Sequence, residues 1–309
     1  MMRILLLFFF IASSLFTNAQ KQLVWIDADT GNEIDDVYAL VRLLSDTKIR
    51  VTGISSAHFN NPDLVVFEKW NQYDTKDINT VEISQKLNED LLKTMRINDI
   101  PYFLGADRQI GRAWGGYNPR NSPAVEELVR VVKSLEGGEK LDVITLGAVT
   151  NIASAVILHP EIIPHIRCYA LAARYDANTS VWDKDEFNVR NDLNAFNYLL
   201  NLEGFDFYVM PITTAMPYRF NRDATFAKLD EKNPVEKALK DRWVETEAGS
   251  RERVLWDLAL VEAYLNPQWC KIEQRLTPLE NKQRYIYMYT EIDNNALTDD
   301  FWKSIENMK

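Results

Sequence analysis

Between Gln22 and Ile212 the chain alternates short apolar runs with helical patterns, and this alternation limits the folds open to it more than any other feature. "QLVWID" is followed by "DDVYALVRLL", "IRVTGISS" by "NTVEISQKLNEDLLKTM", and "PYFLG" by "SPAVEELVRVVKSL". "LDVITLG" then precedes "TNIASAVILHP", "IRCYALAA" precedes "NDLNAFNYLLNL", and "FDFYVMPI" closes the series. Strands that alternate with helices predict a mostly parallel sheet flanked by helices, in a single α/β domain. Ser122 and Pro123 are placed to start one of those helices as N-cap and first helical residue. No Pro/Gly/Ser-rich linker divides residues 20–309. In open sheets of this kind ligands bind beyond the carboxyl ends of the strands, so the strand-to-helix loops are where function is sought.

The first residues, "MMRILLLFFFIASSLFTNAQ", have one cation, an apolar stretch and then small residues ending at Ala19. This pattern predicts a secretory signal peptide over residues 1–19, and hence a periplasmic or secreted protein that leaves no membrane segment after cleavage. Net charge is -10. Losing Arg3 leaves 34 basic against 45 acidic residues, or -11. Such a balance argues against nucleic acid and anionic membranes as partners and leaves small polar molecules. Cys168 and Cys270 are too few for a disulfide framework, and Cys168 in "RCYALAA" reads as a buried free thiol. Neither a monomer nor a homo-oligomer is selected by the sequence.

The most unusual stretch is "LVWIDADTGNEIDDVYAL", with five carboxylates between two apolar runs. Asp27 and Asp29 lie two apart in extended chain and point the same way. Gly31 permits a turn, and Asp35 and Asp36 open the next helix, where the positive dipole end suits carboxylates. Capping and a solvated loop account for one or two of these residues. Four Asp converging at a strand end repel one another, and a bound hard cation, calcium or magnesium, would relieve that repulsion. An EF-hand is excluded, because counting from Asp27 the sixth residue is Asn32 and the twelfth is Tyr38. A haloacid-dehalogenase phosphatase fits Asp27-Ala28-Asp29 but fails at Gly31, where Thr or Val belongs.

The stretch resembles the N-terminal signature of the inosine-uridine-type nucleoside hydrolases, Asp-x-Asp-x-Gly followed by Asp-Asp and an apolar helix, with two extra residues between Gly31 and the Asp pair. Four further motifs of that family follow in order. They are "VTGISSAHFN" ending at Asn60, "LGAVTNIASAV", "DEFNVRND" and "RVLWDLALVEAYL". The tail "IDNNALTDDFWKSIENM" is similar to the family's closing strand and helix. The resemblance implies calcium-dependent hydrolysis of the N-glycosidic bond of ribonucleosides, giving ribose and free base. It also implies roles. Asp29, Asp36, Asp257 and the carbonyl of Leu146 would hold calcium, Asp29 would be the general base, and Asp27 would orient it. Asp35, Asn60 and Asn188 would bind ribose hydroxyls on the 2'/3' side, and Glu186 the 5'-hydroxyl.

Bland readings stand beside these. Asn60 would cap a helix before Pro62, Asp257 would be an N-cap, and Glu186 and Asn188 would be loop residues, although Phe187 between them suggests an anchored segment. Trp256 stands where many relatives have the His that protonates the leaving base. Trp256 would stack on the base instead, as would Trp182, Tyr175 or Trp114 if not packed in the core. Ala172 replaces a family Met near the sugar, and Arg174 adds charge. Two other functions share these features: hydrolysis of another N-ribosyl or glycosyl substrate, and non-catalytic binding of a sugar or nucleoside.

Overall fold

The computed structural model describes residues 21–59 and 79–308; the proposed signal peptide and Asn60 lie outside them. Twelve strands and eleven α-helices occur in the described residues. The chain runs β1 (Gln22–Ala28), α1 (Asp35–Ser45), β2 (Ile49–Ser56), α2 (Thr80–Thr94), β3 (Tyr102–Phe103), α3 (Pro123–Lys133), β4 (Leu141–Thr145) and α4 (Thr150–Leu158). It continues through β5 (Ile166–Leu171), a hairpin of β6 (Arg174–Asp176) and β7 (Val181–Asp183), α5 (Phe187–Asn191), α6 (Leu193–Asn201), β8 (Asp206–Met210) and α7 (Ile212–Ala215). The last third comprises β9 (Arg219–Asn221), α8 (Arg222–Lys228), α9 (Pro234–Glu247), β10 (Glu252–Val254), α10 (Trp256–Leu265), β11 (Cys270–Leu276), β12 (Tyr285–Ile292) and α11 (Asn294–Asn307).

Eight strands form one sheet in the order β11-β12-β8-β5-β4-β1-β2-β3. Every neighbouring pair is parallel except β11 and β12. Strand β1 sits inside, between β2 and β4, and shows why its sequence is apolar throughout. Val24 and Ile26 pack into the core on one face, while Leu23 and Trp25 pack into the core on the other. A parallel strand covered on both faces has no solvent side to mark with polar residues. The first face is covered largely by α1, α10 and α11, the second by α3, α4 and α6. Ser122 caps α3, its hydroxyl accepting from the Val125 amide at 3.3 Å, with Pro123 beginning the helix. Cys168 is a buried free thiol, and Cys270 is free as well. No helix among the described residues is long and apolar enough to cross a membrane.

Candidate active site

The carboxyl ends of β1, β4, β5 and β8 point to one edge of the sheet, and the loops that leave them surround a cleft of about 610 Å³. Asp29 follows β1 directly. The chain then turns, with the Asn32 amide donating to the Asp29 carbonyl at 2.8 Å. Gly31 is needed there because a Cβ would lie 2.8 Å from both Phe59 and Ile83. Thr30 donates to Asn88 at 2.5 Å, and the Gly31 amide to Ser84 at 3.2 Å, so α2 anchors the turn. Arg242 donates to the carbonyls of Thr30 and Glu33, and Arg253 pairs with the Glu33 carboxylate. The residues between Gly31 and Asp35 therefore form a lip, and bring Asn32 and Glu33 onto the cleft.

Helix α1 opens with Asp35 and Asp36, and α10 brings Asp257 against them. Carboxylate oxygens of Asp35, Asp36 and Asp257 lie within 4.8 Å of one another. The Asp257 amide donates to Asp35 at 3.2 Å, which sets the two side by side. Asp29 is 2% exposed and Asp257 3%. One oxygen each of Asp29, Asp36 and Asp257 has no hydrogen-bond partner. Burial pushes the Asp36 carboxyl up to about 8, with the neighbouring Asp35 charge adding to it. Burial also raises Asp29 well above the usual range, reinforced by Asp36 and Asp35, and raises Asp257 likewise through burial and then Asp35. Buried, mutually repelling carboxylates with orphaned oxygens are the donor set of a hard divalent cation. The residues fit such an ion. The tightest group contains Asp35, however, where the motif reading gave that ligand position to Asp29.

The remaining predicted residues gather at the same cleft. Leu146 follows β4, and its carbonyl accepts from Asn188 Nδ2 at 2.7 Å; that nitrogen also reaches the Leu171 carbonyl at 3.2 Å. The amide nitrogen of Asn188 is thus spent on backbone, which leaves Oδ1 as the acceptor for a hydroxyl. Glu186 caps α5, its carboxylate accepting from the amides of Asn188 (3.0 Å), Val189 (3.1 Å) and Ala173 (3.2 Å). Burial raises its carboxyl to about 7 against the opposing effect of those three donors. Asp257 is the second residue of α10, whose N-cap is Leu255, so the N-cap reading does not hold.

Asp27 stays behind the cleft. Its carboxylate accepts from Ser55 at 2.5 Å and Asn151 at 2.8 Å, which ties β1 to β2 and α4. Burial raises it to about 6. Of the aromatics, Trp256 lines the cleft. Tyr175 and Trp182 pack edge to face on each other, and Trp114 is 87% exposed, outside the cleft lining. His58 is buried away from the lining with its Nε2 2.9 Å from the Thr150 hydroxyl, and burial lowers its pKa to about 4. Neither exposed histidine, His159 or His165, reaches the cleft.

Residues 24–299 match the family model for the inosine-uridine preferring nucleoside hydrolases. The chain belongs to that family. It is an N-ribosyl hydrolase by that membership. Nucleoside hydrolases of known structure share its fold. An inosine-guanosine nucleoside hydrolase superposes with a TM-score of 0.70 at 16% identity, covering 93% of this chain and 99% of the other. The inosine-uridine preferring nucleoside hydrolase from Bacillus anthracis gives 0.66 at 14% identity, with 94% and 99% covered. The purine-preferring ribonucleoside hydrolase from Gardnerella vaginalis gives 0.63 at 15% identity, with 93% and 99% covered. No curated protein matches the sequence significantly.

Several contributors to this nucleoside-hydrolase site were not singled out by their sequence context. Gly147 leaves room for Asp29, since a Cβ there would stand 2.8 Å from the Asp29 carboxylate carbon. Ser55 and Asn151 hold Asp27. Ile212 supplies apolar wall beside Phe187, the residue already read as anchoring its segment. Gly147 and Asn151 lie inside the quoted "LGAVTNIASAV", so the motif pointed at them without giving their task.

Proposed function

We propose that this chain is an exported, calcium-dependent ribonucleoside hydrolase that cleaves the N-glycosidic bond to ribose and free base. The observation that carries the reading is the meeting of Asp29, Asp35, Asp36 and Asp257, with orphaned oxygens, beside Asn188 and the Leu146 carbonyl in one cleft. Asp36, Asp257, Asp29 and the Leu146 carbonyl would hold the ion, with Asp35 close enough to share it. Calcium, when bound, supplies a charge that lowers the pKa of a nearby water and attracts vicinal hydroxyls. Asp29 takes the proton of the attacking water. Asp35 and Asn188 Oδ1 accept from the 2'- and 3'-hydroxyls, and Glu186 borders the 5' end. Charge that builds on the sugar as the bond breaks is stabilised by the surrounding carboxylates. Trp256 covers the base side, where no histidine among the described residues stands ready to protonate the departing base.

The test is Asp29→Asn, assayed on one preparation for calcium content, nucleoside affinity and single-turnover rate. The expected result is retained calcium and affinity within about tenfold, with turnover lower by about 10²–10⁴, the contribution of a positioned base. Turnover near the parent rate with calcium bound would remove Asp29 from the role of base. A parent protein that binds nucleosides and forms no product would sink the hydrolase reading itself.

A further inference from the structure

We propose that the site prefers a substrate with an anion on its 5' carbon, a ribonucleoside 5'-monophosphate cleaved to ribose 5-phosphate and free base, over the free nucleoside, and that Arg174 binds the phosphate. The inference rests on the reading above, in which the 5' end of the sugar borders Glu186.

Arg174 is the only cation among the described residues that line the cleft. Its side chain makes no hydrogen bond or ion pair with a described residue, whereas the neighbouring charges are provided for. Glu33 has Arg253, and Glu186 has three backbone amides. Arg174 lies near enough to Glu186 for its charge to act on that carboxyl. The backbone that presents it is held from two directions. The Ala173 amide donates to Glu186, and the Ala173 carbonyl accepts from the Ile212 amide at 2.9 Å. Ala173 is left-handed at φ +61, a conformation that costs a residue with a Cβ and persists where its surroundings fix it. Arg174 then faces the cleft, while the next residue, Tyr175, is buried against Trp182 with its amide donating to Thr213 at 3.2 Å.

A half-buried guanidinium that forms no ion pair recovers little of the solvation it has lost. Its planar fork matches phosphate oxygens in pairs. Glu186 opposes a phosphate only in part, because its oxygens already face three backbone amide donors. Balancing the cleft carboxylates is the competing role for Arg174, and the experiment separates the two.

The full-length mature protein with calcium is assayed for kcat/KM on inosine and on inosine 5'-monophosphate, with adenosine and adenosine 5'-monophosphate as a second pair. D-ribose and D-ribose 5-phosphate are titrated by calorimetry in parallel. The expected parent prefers the phosphorylated member of each pair by about tenfold or more, and Arg174→Met lowers that preference by about 10–100-fold, the scale of charge-assisted hydrogen bonds. Arg174→Lys recovers part of it. Equal use of both members, or a preference that Arg174→Met leaves unchanged, overturns the proposal. A ribose 5-phosphate preference that depends on Arg174, without turnover of any substrate, would leave this inference standing and remove the hydrolase reading. Turnover of nucleosides with no such preference would do the reverse.

Discussion

Helices α1 and α10 pack side by side and bury two polar clusters between them, which are resolved in opposite ways. Near the far end of α1, Arg42 is saturated. Its Nε donates to Glu262 at 2.7 Å, Nη1 to Asp46 at 2.9 Å and Nη2 to Asp300 at 2.7 Å. Asn266 closes the group by donating to Glu262 and Asp300 at 3.0 Å each. At the near ends of the same helices, Asp36 and Asp257 face each other with an unpartnered oxygen apiece and no lining cation but Arg174. One cluster is complete within the chain and can only stabilise the fold. The other is incomplete without something brought from outside, and the proposed chemistry is located there.

Breaking the closed cluster should have the largest effect on stability. Arg42→Met strands Glu262 in the core and should destabilise the protein by about 3–5 kcal/mol, as does removing one partner of a buried pair. Chemical denaturation would measure this, with calcium content per folded molecule unchanged. A loss below about 1 kcal/mol would show that the network relaxes or takes up water. The open cluster should answer with the opposite sign. In calcium-free protein above about pH 8, where the carboxyl is ionised, Asp36→Asn removes a buried, repelled charge and should stabilise by about 1–3 kcal/mol, while abolishing calcium retention. If the variant binds calcium as the parent does, Asp36 is not a ligand.

The smallest effect sharpens the contrast by pH. The folded Asp36 carboxyl is raised from 3.8 to about 8, so the calcium-free fold binds its proton more tightly than the unfolded chain does. That contribution is fully present below the unfolded pKa and is lost as pH rises through about 8. Calcium needs the ionised form. The gain in Tm on adding calcium should therefore grow from about pH 5 to about pH 8. A gain that is flat or shrinks across that window would contradict the assignment of this cluster to the cation.

The strand-helix alternation made the parallel core of the sheet readable, because each buried strand had to be apolar on both faces and each helix on one. The antiparallel edge β11, the hairpin β6–β7 and the antiparallel pair β9–β10 were not readable in the same way. They are short, partly exposed and carry no strong period. The acidic hinge announced the site through charge density alone. What it did not announce was how the carboxylates pair, since Asp35 meets Asp257 across 222 positions of sequence. Glu186 shows a second limit. The family resemblance implied a sugar contact for it; its hydrogen bonds from the Asn188 and Val189 amides make it the N-cap of α5, which only the folded chain reveals.

The separation of Asp35 from Asp257 has a further meaning for the growing chain. A fragment that ends before α10 carries the whole acidic hinge yet lacks the third carboxylate and the amide that aligns Asp35. A fragment that ends a few residues earlier, before β10, also lacks Arg253, which clasps the lip at Glu33. Occupancy of the cation site therefore certifies that the first and last thirds of the molecule have found each other. A cation bound there would be withheld from every shorter or half-closed form and would act as a latch on the finished topology.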